Sequence, residues 1–223
     1  MIEQTANDDV RPVGVRDGKP RCAWMGDDAL MLRYHDDEWG VPVHDDRKWF
    51  EYLLLDAFQA GLSWRTVLHK REAFRSAFHG FEPAAVAAMP EAELRRAMRN
   101  EAIVRNRLKI WGAVKNAQAF LKLQEQRGSF DAFIWSFTEG RTLHNAWNGL
   151  KQLPASTPLS DAVSKALKAE GFTFVGSTIC YAFLQSGGVV NDHLVHCFRH
   201  TELGGSGLKS AKLASARGTR RGR

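Results

Sequence analysis

The chain has 223 residues, of which 44% are hydrophobic, and this is enough to bury the core of one domain or of two small lobes. The net charge is +6, but six basic residues after position 203 account for the whole excess, so any nucleic-acid affinity of the rest must come from local patches. An odd number of cysteines, three, argues against a disulfide-stapled secreted domain, and the lack of a long apolar stretch argues against a membrane protein. The acidic start argues against a secretory signal, so we expect a cytoplasmic protein.

Helical periodicity dominates the chain between a polar leader, expected at 1–20, and a basic tail, expected to be disordered, at 204–223. Apolar residues at helical spacing predict helices over 48–60, 66–77, 90–98, 105–126, 160–170 and 178–185. In the longest of these, Leu108 belongs to the predicted inward face and Gly128 is the expected terminator. Alternating strand patterns are nearly absent, so we expect an all-α fold with one ordered domain over 21–203.

Two cysteines and two histidines near the two ends of this domain are candidate metal ligands. His193 and Cys197 are four residues apart, a spacing that places both side chains on one face if the segment is a helix. With Cys22 and His35 they would supply two thiolates and two imidazoles, a closed tetrahedral set that suits structural zinc. Spacing alone leaves open a buried thiol beside a surface histidine, or a site that uses another histidine of the same segment.

Aromatic side chains cluster in the first third of the chain, at Trp24, Tyr34, Trp39 and Trp64. Asp56 lies on an apolar helix eight residues before Trp64, where a carboxylate is costly unless it is paired. One interpretation is a capping or salt-bridging aspartate. The other is a pocket in which flat rings sandwich a base and one anion attracts a base that is cationic.

The short segment Gly61–Leu62 also has two interpretations. Glycine would let a ligand approach the backbone closely and leucine could act as a wedge between bases, whereas the alternative is a turn between two helices. The acidic run over 36–38 suggests a divalent cation, but we favour a solvated surface turn. The chain has no nucleotide-binding glycine loop, no Ser-His-Asp arrangement and no His-Glu-x-x-His motif that would indicate other chemistry.

Seven longer motifs follow one another through residues 21–198. They are RCAW (21–24), YHDDEWGVP (34–42), QAGLSW (59–64), WSF (135–137), GFTFVG (171–176), ICY (179–181) and VNDH (190–193). Motifs of this length in this order are highly specific, and through them the chain resembles the bacterial 3-methyladenine DNA glycosylase I family. The resemblance implies a helix-hairpin-helix glycosylase fold. It also implies a monofunctional enzyme of base excision repair that removes 3-methyladenine, with other N3-alkylated purines as further candidates.

The same resemblance assigns roles to the candidate residues. A structural zinc ion, which ties the two ends of the fold together, would be held by Cys22, His35, His193 and Cys197. The base pocket would be formed by Tyr34, Trp64, Trp24 and Trp39. Asp56 would be its catalytic carboxylate, Gly61 and Leu62 would meet the DNA lesion, and the hairpin would lie near 101–107.

Two departures from the family bear on the site. A family member carries Glu where this chain has Asp56 and Gly where it has Ala57, so the carboxylate is retained but its reach is one methylene shorter. The predicted hairpin over 100–105 lacks the Gly-x-Gly of many helix-hairpin-helix loops, so we expect its phosphate contacts to differ.

The chemistry implied by the resemblance starts from a base that is already charged. Alkylation at N3 makes adenine cationic and a good leaving group, so the enzyme must chiefly flip the nucleotide out of double-stranded DNA and hold the base. Tyr34 and Trp64 would stack on the cation, Asp56 would accept hydrogen bonds from its exocyclic amine, and water would capture the sugar cation. No lysine in the pocket segments matches the nucleophile of bifunctional glycosylases, so we expect no strand cleavage. We expect the enzyme to act as a monomer.

Two other functions are compatible with these residues. One is a DNA-binding module without catalysis, in which Asp56 has lost its function. The other is a related glycosylase for a different lesion, such as 3-methylguanine. A release assay on methylated DNA separates the three.

Overall fold

Eleven α-helices and one short pair of strands make up the part of the chain that a computed structural model describes, residues 17–205. The helices are α1 (Ala29–Asp37), α2 (Asp46–Gln59), α3 (Trp64–His69), α4 (Arg71–Ala77), α5 (Pro83–Ala87), α6 (Glu91–Ala97), α7 (Arg107–Arg127), α8 (Phe130–Trp135), α9 (Pro158–Ala169), α10 (Ser177–Ser186) and α11 (Phe198–Glu202). Short 3-10 helices lie at Ala23–Met25, His79–Phe81, Ser136–Thr138 and Leu150–Gln152. Strand β1 (Leu143–His144) pairs in parallel with β2 (Val190–Asn191).

The predicted helical class is confirmed, although the helix boundaries differ in places. The helix expected over 66–77 is divided into α3 and α4, because Lys70 leaves helical geometry with a φ of −98° and a ψ of 2°. None of the described helices is long and apolar enough to cross a bilayer. Most of the predicted leader and tail, 1–16 and 206–223, lies outside the described residues.

The longest helix, α7, begins at Arg107 because the preceding residue, Asn106, caps it. The Asn106 side chain accepts a hydrogen bond from the Lys109 amide at 3.1 Å, which satisfies a free N–H group of the first turn. The prediction that Leu108 faces inward is wrong, since its side chain is 71% exposed. The buried stripe of α7 includes Ile110, and two residues of helix correspond to a rotation of about 200°, which places Leu108 on the opposite side.

Helix α2 lies at the centre of the fold and is buried on all sides. It packs against α3, α7, α8 and α10, and every residue from Trp49 to Phe58 is buried. A helix in this position is expected to be apolar all round, so its buried Glu51 and Asp56 stand out. Glu51 is paired with Arg71 at 2.8 Å. Asp56 has no hydrogen-bond partner among residues 17–205.

The end of α10 is bonded to the segment that follows α1. The Val43 amide donates to the Gly187 carbonyl at 3.0 Å. Gly188, with a φ of +71°, allows this close approach, because a Cβ atom there would lie 2.4 Å from backbone atoms of Val41. The contact brings α1, α2 and α10 together around one cavity.

Candidate active site and metal centre

A cavity of about 300 Å³ opens between α1, α2, α10 and the segment after β1. Its lining consists of Trp24, Tyr34, Trp39, Asp56, Gln59, Trp64, Leu150, Leu153, Ala182, Gln185 and Ser186. All five side chains predicted for a base pocket are among them. The structure therefore places the predicted aromatic residues and the predicted carboxylate around one space, and their roles stay predictions.

The aromatic residues of the cavity form two neighbouring pairs. The ring centroids of Tyr34 and Trp64 are 5.0 Å apart, and those of Trp24 and Trp39 are also 5.0 Å apart. The indole N–H groups of Trp24 and Trp64 are buried and have no hydrogen-bond partner in the described part of the chain. Unpaired indole donors among flat rings suit a planar ligand that carries acceptor atoms.

Asp56 is the most unusual group in the cavity. Its side chain belongs to a residue that is 1% exposed, and neither carboxylate oxygen has a hydrogen-bond partner within residues 17–205. The capping or salt-bridging interpretation of Asp56 is therefore wrong. Burial raises the pKa of this carboxyl group well above its usual value and favours the neutral form. A ligand that brings a positive charge and N–H donors would stabilise the ionised form.

Tyr34 connects the carboxylate side of the cavity to α10. Its hydroxyl oxygen lies 2.9 Å from the hydroxyl oxygen of Ser186. Burial, and then the negative charge of Asp56, raises the pKa of Tyr34 well above its usual value. The phenol is therefore a neutral hydrogen-bonding group at neutral pH.

The Gly61–Leu62 segment lies between two cavity residues, Gln59 and Trp64, where the chain leaves α2. Gly61 has a φ of +78°, and the Leu62 amide donates to the Gln59 carbonyl at 2.6 Å. The Leu62 side chain is 41% exposed. A large apolar side chain exposed beside an aromatic cavity suits contact with a ligand that extends beyond the cavity.

The four predicted metal ligands meet in one buried cluster, and their ligand atoms all lie within 4.8 Å of one another. The Cys197 sulfur is 3.5 Å from His35 Nε2 and 3.5 Å from His193 Nδ1, and the Cys22 sulfur is 3.8 Å from His193 Nδ1. Tetrahedral zinc with ordinary bond lengths separates sulfur and nitrogen ligands by about 3.6 Å. Hydrogen bonding to Cys22 and then to the histidines lowers the pKa of Cys197, whereas burial raises the pKa of Cys22. The set fits a tetrahedral metal ion.

The second nitrogen of each imidazole is fixed by a hydrogen bond. His35 Nδ1 donates to the Asp36 carboxylate at 2.7 Å, and His193 Nε2 donates to the Trp39 carbonyl at 2.9 Å. Because these nitrogens carry the protons, His35 Nε2 and His193 Nδ1 present lone pairs to the cluster. Arg21 in turn holds Asp36 with hydrogen bonds of 2.8 and 2.9 Å.

The segment that carries His193 and Cys197 is a turn and not a helix. A turn includes His196, and Cys197 directly precedes α11. A turn of four residues brings the two ligand atoms together as well as a helix would. The other histidines of the segment lie outside the cluster, and His200 instead donates to the Asn145 carbonyl at 2.8 Å.

Comparison with known proteins identifies the family. Residues 24–200 match the family described as methyladenine glycosylase. The chain belongs to the methyladenine glycosylase family. DNA-3-methyladenine glycosylase 1 of Escherichia coli (strain K12) is 48% identical over 177 residues, which are 79% of this chain and 95% of that protein. The DNA-3-methyladenine glycosylase of Haemophilus influenzae is 46% identical over 177 residues, which are 79% of this chain and 96% of that protein. The predicted enzyme class is confirmed.

Solved structures of the family share the fold of this methyladenine glycosylase. A crystal structure of 3-methyladenine DNA glycosylase I is 50% identical with a TM-score of 0.77, and the match covers 80% of this chain and 98% of that chain. A structure of the Staphylococcus aureus enzyme, described as the basis of 3-methyladenine recognition, is 36% identical with a TM-score of 0.77. That match covers 79% of this chain and 94% of the other.

Six cavity residues of this methyladenine glycosylase were not predicted from the sequence. They are Gln59, Leu150, Leu153, Ala182, Gln185 and Ser186. Gln59 lies three residues after Asp56 on α2, so helical spacing is a signal that could have found it. Its Oε1 atom is also buried and has no hydrogen-bond partner within the described range. The other five follow Asp56 by more than 90 residues, and no local pattern marks them.

The acidic run over 36–38 is not the solvated turn that we expected. Asp36 and Asp37 end α1, and Glu38 accepts hydrogen bonds from Arg71 at 2.7 and 2.8 Å and from Lys48 at 2.9 Å. Burial alone would raise the pKa of Glu38, but these two cations lower it to about 2. The run joins the cysteine–histidine cluster to α2 and α4 through ion pairs.

Proposed function

We propose that this methyladenine glycosylase flips an N3-alkylated adenine out of double-stranded DNA and hydrolyses its N-glycosidic bond. The observation that carries the proposal is Asp56, a buried carboxylate without a partner among the described residues, in an aromatic cavity. The names of the relatives, which refer to 3-methyladenine, support it. In DNA this base is planar, cationic and equipped with an exocyclic amine, and each of these properties matches one feature of the cavity.

Asp56 would recognise the charge and the amine of the base. Because burial raises the pKa of Asp56, a cation is needed to stabilise the carboxylate. The carboxylate then accepts a hydrogen bond from the amine, and a hydrogen bond to a charged group is worth about 1.5–3 kcal/mol. Guanine carries an oxygen at the corresponding position, which an ionised carboxylate repels, so the ionised form of Asp56 would favour alkylated adenine.

Bond cleavage would follow from the charge of the base. The glycosidic bond breaks with both electrons leaving on the base, which cancels its positive charge and leaves an electron-poor sugar carbon. Water adds to that carbon and releases a proton. Tyr34 and Trp64 would stack on the base, and Trp24 and Trp39 would complete the aromatic wall.

The enzyme would be monofunctional. An imine with the sugar requires an amine nucleophile, and no lysine lines the cavity in the described part of the chain. Water is then the nucleophile, and the product is an abasic site in an intact strand.

Contacts with DNA would come from two neighbouring segments. Leu62, on the backbone bend at Gly61, would enter the gap left by the flipped nucleotide. Helices α6 and α7 with the loop 98–106 would form the helix-hairpin-helix that holds the DNA backbone.

The cluster of Cys22, His35, His193 and Cys197 would hold one structural zinc ion. These ligands fill all four tetrahedral positions and leave none for a reactive water. The Trp39 and His193 ring centroids are 4.6 Å apart, so the centre would also support a wall of the cavity. All proposed groups belong to one chain, so a monomer is sufficient. Because its substrate is DNA, the enzyme would act in the cytoplasm, where bacterial DNA lies.

The released base tests the proposal. Alkylated duplex DNA is incubated with the enzyme, and the bases set free are separated and identified. We expect 3-methyladenine as the principal product. Release of 3-methylguanine at an equal rate would contradict the role of Asp56, and DNA binding without any release would indicate a binding module instead.

A further inference from the structure

One lysine outside the cavity is buried without a carboxylate among its hydrogen-bond partners. Lys109 is 7% exposed and lies near the start of α7. Its ammonium group donates to the carbonyl oxygens of Phe58 at 2.7 Å and Ala60 at 2.5 Å. Burying an ammonium group is costly unless it is well bonded, so a lysine in this position suggests a specific role.

These hydrogen bonds complete the C-terminal end of α2. The last carbonyls of a helix lack partners within it, and here the chain must turn sharply towards Gly61. The Gln59 carbonyl is satisfied by the Leu62 amide, and those of Phe58 and Ala60 are satisfied by Lys109. The space around Gly61 is open, since a Cβ atom there would meet no heavy atom of the described residues within 4 Å. Packing around Gly61 therefore does not hold the bend in place.

A second lysine makes the reciprocal connection. Lys70, between α3 and α4, donates from Nζ to the carbonyl oxygens of Glu101 at 3.2 Å and Ala102 at 3.1 Å. One lysine therefore joins α7 to the end of α2, and the other joins the end of α3 to the loop before α7. The Gly61–Leu62 segment, which lies between α2 and α3, is thus held to the helix pair α6–α7 from both sides.

We propose that Lys109 is a positioning residue that holds the Gly61–Leu62 segment at a fixed distance from the α6–α7 loop. DNA held by the loop would then contact Leu62 next to the opening of the base cavity. The inference rests on the proposed function, because it assumes that both segments contact DNA. Lysine suits this role because its ammonium group can donate to several carbonyl oxygens at the end of a flexible stem.

Lys109→Met tests the inference, because methionine keeps most of the stem and removes the donors. The matched control is Lys165→Met, which changes an exposed lysine of α9. We expect Lys109→Met to slow single-turnover excision from duplex DNA by roughly tenfold or more and to leave the affinity for free 3-methyladenine within about twofold. Lys70→Met should act in the same direction with a smaller effect, because its hydrogen bonds are longer and more exposed.

Three results would overturn the inference. One is unchanged excision, and another is an equal loss of free-base affinity, which would make Lys109 a general stability residue. The third is additivity with Leu62→Ala, since two changes that act through the same segment should not add.

Hydrogen–deuterium exchange separates a failure of this inference from a failure of the proposed function. The amides of residues 60–63 should exchange at least about tenfold faster in Lys109→Met than in Lys165→Met, whatever the enzyme does to DNA. Unchanged exchange there would show that Lys109 does not hold the segment. If wild-type protein released no base, the proposed function would fail while this measurement kept its meaning.

Discussion

The hydroxyl oxygens of Tyr34 and Ser186 lie 2.9 Å apart, although the two residues are separated by 152 positions. Tyr34 belongs to the proposed stacking surface, and Ser186 is the last residue of α10. The contact fixes the direction of the phenol hydroxyl, and burial, followed by the charge of Asp56, raises the pKa of Tyr34. It therefore joins the aromatic side of the cavity to the segment that leads to His193 in the cysteine–histidine cluster.

Ser186→Ala should weaken binding of free 3-methyladenine by about twofold to tenfold, because a neutral hydrogen bond contributes roughly 0.5–1.5 kcal/mol. The same change should have no further effect when Tyr34 is already Phe, since the hydroxyl on which it acts is gone. Ser186→Thr, which keeps a hydroxyl group, is the control. Equal effects in both backgrounds would show that Ser186 does not act through Tyr34.

One zinc ion per chain is expected in protein purified without chelators, measured by elemental analysis. Cys197→Ala should remove the zinc and lower the melting temperature sharply, because it opens a centre that joins the two ends of the domain. Cys180→Ala is the matched control, since Cys180 is also buried but bonds to the Val175 carbonyl outside the cluster. A zinc content near zero in the wild type, or equal zinc loss in both variants, would contradict the assignment.

Borohydride should trap no protein–DNA adduct during excision. The cavity has no lysine among its described lining residues, so no imine with the sugar can form there. A bifunctional glycosylase treated in parallel shows that the reagent works. A trapped adduct on denaturing gels would refute the hydrolytic mechanism even if the released base were 3-methyladenine.

Asp56→Asn should change how stability depends on pH. The pKa of Asp56 is near 3.9 in the unfolded chain and is raised in the folded protein by burial, so wild-type protein loses stability as the pH rises above about 4. The Asn variant lacks this titration. Its melting temperature relative to wild type should therefore increase between pH 4 and pH 8. A difference that is constant across this range would mean that Asp56 has the same pKa in both states.

The sequence located those parts of the site that lie close together in the chain. Tyr34, Asp56 and Trp64 fall within 31 residues, and motif order was enough to group them. Ser186 and the other α10 residues reach the cavity only because α10 packs against α2, which no local pattern reports. The hydrogen bonds of Lys109 join residues about 50 positions apart, so they could not be predicted from the sequence either.

Two local features could not be predicted from residue spacing alone. The inward face of α7 was predicted from the spacing of its apolar residues. Leu108 was included because it is apolar and suitably spaced, but in the structure its side chain faces solvent. A spacing of four residues between the candidate ligands His193 and Cys197 suits a helix. A turn provides the same convergence, and sequence spacing does not distinguish the two.

The central claim is that Asp56 recognises a cationic base, and single-turnover excision of 3-methyladenine from duplex DNA by Asp56→Asn tests it most directly. Asparagine keeps the shape, removes the charge and can turn an N–H donor towards the amine of the base. At saturating enzyme we expect the rate to fall roughly tenfold to a hundredfold, in line with the loss of one charged hydrogen bond. Affinity for abasic-site DNA, which offers no base, should stay within about twofold. An unchanged excision rate together with unchanged affinity for free 3-methyladenine would remove Asp56 from the site and contradict the account.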